Sequence, residues 1–208
     1  MLDYLYTGSD CYFDYSIVKI DYESPYIKNN YSNSRTKFNI SYIYETQFYN
    51  KYFTEFDLEL NGMKIKYSNS DKKNKHYISI ANITADNLTL NDNTLSTSYM
   101  DRGYKEYRIT IYFEQNLSYD QRIGFLLTSN NREYSSTIIE DQLHNNRRHM
   151  DQQIAIEYSF FPHDIRNKII FKSRIRDTFS PHEWVQDLKS FKLYSIEYII
   201  YFNKKGFK

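Results

Sequence analysis

The chain has 208 residues with 27 basic and 26 acidic side chains, a formal net charge of +1. That length suits one domain with a real core, and the balanced charge lacks the electrostatic footprint of a nucleic-acid binder. The one cysteine, Cys11, excludes an intramolecular disulfide, and no stretch approaches the ~18 apolar residues of a membrane-spanning helix.

Twenty-three Tyr and 14 Phe stand beside only 5 Gly and 3 Pro. The scarcity of Ala and Val fits an AT-rich genome, and its physical effect is to favour strand over helix. The opening MLDYLYTGSD has neither a basic nor an apolar signal region, so no secretory signal is expected.

In chain order, a short strand is expected at 15–21, followed by one near 37–45 with Phe38, Ile40, Tyr42 and Tyr44 on one face. The segment DLELNGMKIKY carries Asn61-Gly62, the dipeptide preferred in a type I′ hairpin turn. Folding there sets Leu60 against Met63, Leu58 against Ile65 and Phe56 against Tyr67, with Glu59–Lys64 and Asp57–Lys66 on the other face. Apolar and charge pairing therefore choose the same register.

A further strand is expected at 77–83. KEYRITIYFE aligns Tyr107, Ile109, Ile111 and Phe113, and 122–128 follows. The stretch 135–147 fits either a helix or a long hairpin connection. Ile154, Ile156, Tyr158 and Phe160 mark the next strand, and Ile169, Phe171, Ser173 and Ile175 another. Ser180-Pro181-His182-Glu183 has the layout of a capping box, predicting about ten residues of helix (181–190) that dock Trp184 and Leu188 on the sheet. The last strand aligns Tyr194, Ile196, Tyr198, Ile200 and Phe202.

These elements predict one all-β, mainly antiparallel domain over 1–208, arranged as a β-sandwich or jelly-roll-like pair of sheets. Several strands carry apolar residues on both faces: Leu193, Ile199 and Tyr201 oppose the Tyr194 stripe, Tyr104 and Tyr112 oppose Tyr107–Phe113, and Ile43 opposes Tyr42. More aromatic surface is present than a lone molecule of this size is expected to hide. Tyr42, Tyr44, Tyr104, Tyr112 and Tyr201 are the candidate interface residues, because Tyr buries a large rigid ring and keeps a polar tip.

Catalytic signatures are sparse. There is no glycine-rich phosphate loop and no nucleophile elbow. His149-x-Asp151 has the spacing of part of a facial iron triad, with His163 or His182 as a third ligand. The plainer reading is a polar loop joining two strands, and no cofactor is expected. Arg147, Arg148 and His149, with Arg166, Arg174 and Arg176, form the most basic neighbourhood, read as an ordinary charged surface.

The leading expectation is a non-enzymatic structural or adaptor subunit of a larger protein assembly, such as a virus or phage particle, in the virion or the cytoplasm. It has protein partners, and membrane and nucleic acid are not expected among them. The alternatives are a carbohydrate-binding module using Tyr42, Tyr44, Tyr107 and Tyr112 on a concave face, and a metal-dependent enzyme built around His149 and Asp151.

Overall fold

The computed structural model describes residues 13–29, 33–49, 57–88, 100–161 and 166–201. Cys11, Phe56, His163 and Phe202 lie outside them. The described strands are β1 (Phe13–Glu23), β2 (Ile27–Asn29), β3 (Ser34–Tyr49), β4 (Leu58–Ser70), β5 (Asn74–Asn87), β6 (Tyr104–Asn116), β7 (Gln121–Tyr134), β8 (Arg148–Phe160), β9 (Arg166–Phe179) and β10 (Phe191–Tyr201). One described helix, α1 (Glu183–Lys189), precedes β10.

All ten strands belong to one antiparallel sheet, in which β1 and β3–β10 pair in sequence order. The short β2 pairs with β3 just beyond β1, so it continues the line of that border strand past Pro25. The all-β expectation holds. The pair of packed sheets is not found among the described residues: each strand touches its ladder neighbours, and α1 packs on β9.

The expected Asn61-Gly62 hairpin is overturned. Leu58–Ser70 is one continuous strand, and no glycine among the described residues has positive φ. Leu60 faces Glu45 and Ala85 instead of Met63, and Lys64 faces Ser41 and Ala81 instead of Glu59. The reversal comes ten residues later, where the Asp71 carboxylate accepts the backbone N–H groups of Lys73 and Asn74 at 2.6 and 2.7 Å. Two full ladders outweigh the local turn preference of Asn-Gly. Gly62 is retained for space, since a Cβ there would meet Ile83 Cγ1 at 3.2 Å and the Asn82 carbonyl oxygen at 3.3 Å.

The helix is shorter than expected. Its N-cap is His182 rather than Ser180, and no side chain caps it. The Ser180 hydroxyl accepts the His182 N–H at 3.2 Å, so the Ser-Pro pair shapes the entry without becoming helical. Val185 and Lys189 are the buried positions, and Trp184 and Leu188 remain half-exposed. Residues 135–147 form an irregular β7–β8 connection with turns and no helix.

The connections differ in length between the two ends of the sheet. One end carries short links: 30–33, 71–73, 117–120 and 161–165. The other carries 50–57, 88–103, 135–147 and 180–190. Both border strands, β1 and β10, run from the long-loop end to the short-turn end.

Candidate functional site

Paired residues in an antiparallel ladder share a face, and alternate residues along a strand change face. Following the registers therefore sorts every strand residue onto one of two surfaces. On the first, Ile40 aligns with Ile65, Ile80 and Ile109. One row over, Phe38 aligns with Tyr67, Ile78, Ile111, Leu127 and Ile154. The stripe of each strand merges with the next into one apolar surface that crosses the whole sheet.

No described element covers that surface. Ile80 is 57% exposed and Ile196 72%, and 26 of the described large apolar residues on it are exposed. A soluble monomer's largest apolar patch is usually ~300–600 Å², and an area this populous exceeds that several-fold. Aromatic rings bracket the aliphatic centre: Phe38 and Tyr42 flank Ile40, and Tyr107 and Phe113 flank Ile109 and Ile111.

Charge is confined to one rim of the apolar surface. Its described charged strand residues are Glu59, Asp86, Lys105, Glu133, Arg148, Asp177 and Lys192, all at the long-loop end. At the short-turn end the same face finishes in Thr36, Asn69, His76, Gln115 and Asn167.

The opposite surface is polar and more enclosed. No second layer covers it among the described residues, yet Ser41, Ser79, Ala81, Glu106, Asp151 and Ala155 are all buried. This asymmetry is what a sheet bent toward this side produces, because bending crowds side chains within and splays them outside; we call this the concave face on that ground. Gly, Ala and Ser fit such a concave wall.

Ion pairs line the concave face. Glu106, 2% exposed, takes Arg132 and Arg108 at 2.6 Å each. Lys168 meets Glu157 at 2.7 Å, and Lys172 meets Glu197 at 2.6 Å. Asp151 receives Arg174 at 2.6 Å and Arg176 at 2.7 Å. Near the long loops, the Arg132 guanidinium lies 3.8 Å from the Tyr104 ring centroid and that of Arg147 3.9 Å from Tyr134.

No family model, curated protein or solved structure matches the chain. The geometry therefore carries the functional argument by itself.

The candidate interface tyrosines divide between the two faces. Tyr42 and Tyr44 lie outside, where the Tyr44 hydroxyl donates to Glu59 at 3.1 Å. Tyr104, Tyr112 and Tyr201 lie inside: Tyr104 is buried, Tyr112 stacks on Tyr77 at 5.1 Å, and Tyr201 sits half-exposed on the border strand. The rings considered for a sugar platform are thus not gathered on one concave face, since Tyr42, Tyr44 and Tyr107 point away from Tyr112.

His149 and Asp151 do share the concave face. Asp151 is occupied by two guanidinium groups, however, and His182 sits at the start of α1. No group of three or more metal-ligating side chains occurs among the described residues. Arg132 and Glu106 escaped sequence reading because their partnership spans 26 positions and appears only through the β6–β7 register.

The β7–β8 connection is tied down by its own polar core. Asp141 accepts the Asp101 N–H at 2.8 Å and meets His144 Nδ1 at 2.9 Å. Burial lowers the His144 pKa below its ordinary 6.5; the Asp141 carboxylate opposes that shift, and Arg147 adds to it. The folded loop therefore favours neutral imidazole. Its contribution is fully present above the unfolded value and is lost as pH falls below ~6.5 toward the lower folded value. Proteolysis of residues 135–147 should accelerate across that interval, and His144→Gln should flatten the dependence. A wild-type rate constant from pH 7 to 4 would refute the linkage.

Proposed function

We propose that this chain is a non-enzymatic wall of a membrane β-barrel, with its apolar face toward lipid and its charged face toward water. The observation that carries the reading is the course of the apolar surface across the ladders. Thr36 of β3 aligns through Asn69, His76, Phe113 and Phe125 with Ile156 of β8. The β3 apolar stretch, Phe38–Tyr44, lies wholly on the long-loop side of that row. In β8 the stretch is Ile154–Phe160, centred just past the row on the short-turn side.

The stripe thus drifts about one residue per strand. With ~3.3 Å per residue and ~4.8 Å between strands, it is inclined by ~35–40° to the ladder rows. Strands in closed barrels tilt by ~35–45° from the axis, so a horizontal lipid layer would trace such a diagonal. Short turns at one end, long loops at the other, and aromatic rings beside the aliphatic centre accompany it in membrane barrels. No described helix is long and apolar enough to cross a membrane, a criterion that does not address strands.

A second reading keeps the face and changes its cover: a structural subunit of a protein assembly such as a virion. The hydroxyls of Tyr42, Tyr107, Tyr194 and Tyr198 on the apolar side favour it, since Tyr is enriched at protein interfaces.

Vesicle flotation separates the two. Refolded with phosphatidylcholine vesicles, the chain is expected to float with lipid, resist alkaline carbonate and gain β-structure only when lipid is present. Release by carbonate, or folding without lipid into discrete oligomers, would overturn the membrane reading in favour of the assembly.

A further inference from the structure

The two faces differ in charge as well as polarity. Among described strand residues, the concave face carries 14 Lys and Arg against eight Asp and Glu; the outer face carries three against four. A chain close to neutral therefore concentrates a positive excess of six on the side turned away from its apolar surface.

The excess is localised. Lys64, Lys66 and Lys75 stand on adjacent strands β4 and β5, and none forms an ion pair among the described residues. Lys66 lies 4.2 Å from the Tyr77 ring centroid, which offers an ammonium some compensation without neutralising it. Around them stand Ser41, Ser68 and Ser79, small neighbours that leave the ammonium groups approachable. Most carboxylates of this face hold other cations: Glu106 and Asp151 two arginines each, and Asp21, Glu23, Glu157 and Glu197 a lysine each. Glu114, opposite Lys75 across the β5–β6 ladder, accepts the Tyr112 hydroxyl at 2.8 Å.

Resting on the barrel reading, we propose that the concave face lines a passage for small anions, with Lys64, Lys66 and Lys75 as its selectivity-determining residues. A wall with a net positive excess in a confined aqueous space raises the local concentration of anions and lowers that of cations. Rings of Lys and Arg set anion preference in pores for this reason. The paired arginines near the long loops shape the wall, and the unpaired lysines nearer the short turns supply the field.

The test measures reversal potentials in planar phosphatidylcholine bilayers under a potassium chloride gradient. Wild-type protein is expected to pass chloride several-fold better than potassium. The triple variant Lys64→Glu, Lys66→Glu, Lys75→Glu brings the excess on this face to zero and should abolish the preference while still floating with vesicles. Lys105→Glu with Lys192→Glu, on the outer rim, should leave it unchanged. Cation preference in the wild type, or a triple variant still favouring chloride, would overturn the inference. So would protein that floats with vesicles and conducts nothing, although the bilayer reading would then stand. Failure to float would instead remove the reading beneath it.

Discussion

Ile109→Lys is expected to destabilise the lipid-folded protein by about 2–4 kcal/mol, the cost of a cation near the middle of a barrel's outer wall. That is a ~30- to 1,000-fold loss in the ratio of folded to unfolded protein. Ile109 sits in the row Ile40–Ile65–Ile80–Ile109, with rings above and below, and is 46% exposed. Tyr107→Lys, one outward position nearer the charged rim, should cost only ~0–1 kcal/mol, because its ammonium reaches the interface. Denaturant titration of vesicle-folded protein reads both. If the surface instead faced water, Lys at a half-exposed strand position would change stability by roughly 0.5 kcal/mol or less. Equal and small effects at the two positions would remove the case for lipid against this face.

The largest effect on the concave side is expected from Asp151→Asn, at about 3–5 kcal/mol. Asp151 is 4% exposed and accepts from Arg174 Nε at 2.9 Å and Arg176 Nε at 3.0 Å, besides the closer Nη2 bonds of both. The amide keeps the shape and removes the charge, leaving two guanidinium groups facing each other without an anion. Arg174→Met added to Asp151→Asn should recover part of the loss, since it removes one of the stranded charges. A double variant no more stable than the single one would show that the cost lies in packing rather than charge.

Much of the architecture is legible in the alternation of single strands. Phe38–Tyr44, Tyr107–Phe113 and Ile154–Phe160 announce both their strands and the face each presents. Lys172 and Arg174 opposite Phe171 and Ile175 announce the charged side. Alternation reports that a face is apolar, however, and not what covers it. The expectation of a second sheet supplies a protein cover, whereas the described elements leave the face bare.

Asn61-Gly62 misleads because its turn preference is local, while the ladder to β3 joins residues up to 35 positions apart, such as Ser70 with Arg35. The interior charge partnerships are hidden for the same reason. Asp151 with Arg174, or Glu106 with Arg132, becomes visible only once neighbouring strands are in register. His149 and Asp151 are identifiable by type as chemically capable, but their arginine surroundings make them part of a wall.

The directions of the border strands have a consequence for any ring the sheet enters. The nine described full-length traverses, each reversing the last, start and finish with the same polarity, as β1 and β10 do. A direct join of those borders would be the one parallel seam among antiparallel ladders, with slanted and slightly weaker hydrogen bonds. An intervening traverse of opposite polarity would make every seam alike. Unsatisfied backbone groups cost several kcal/mol each in hydrocarbon, so in a bilayer that seam is where zipping finishes and where opening begins.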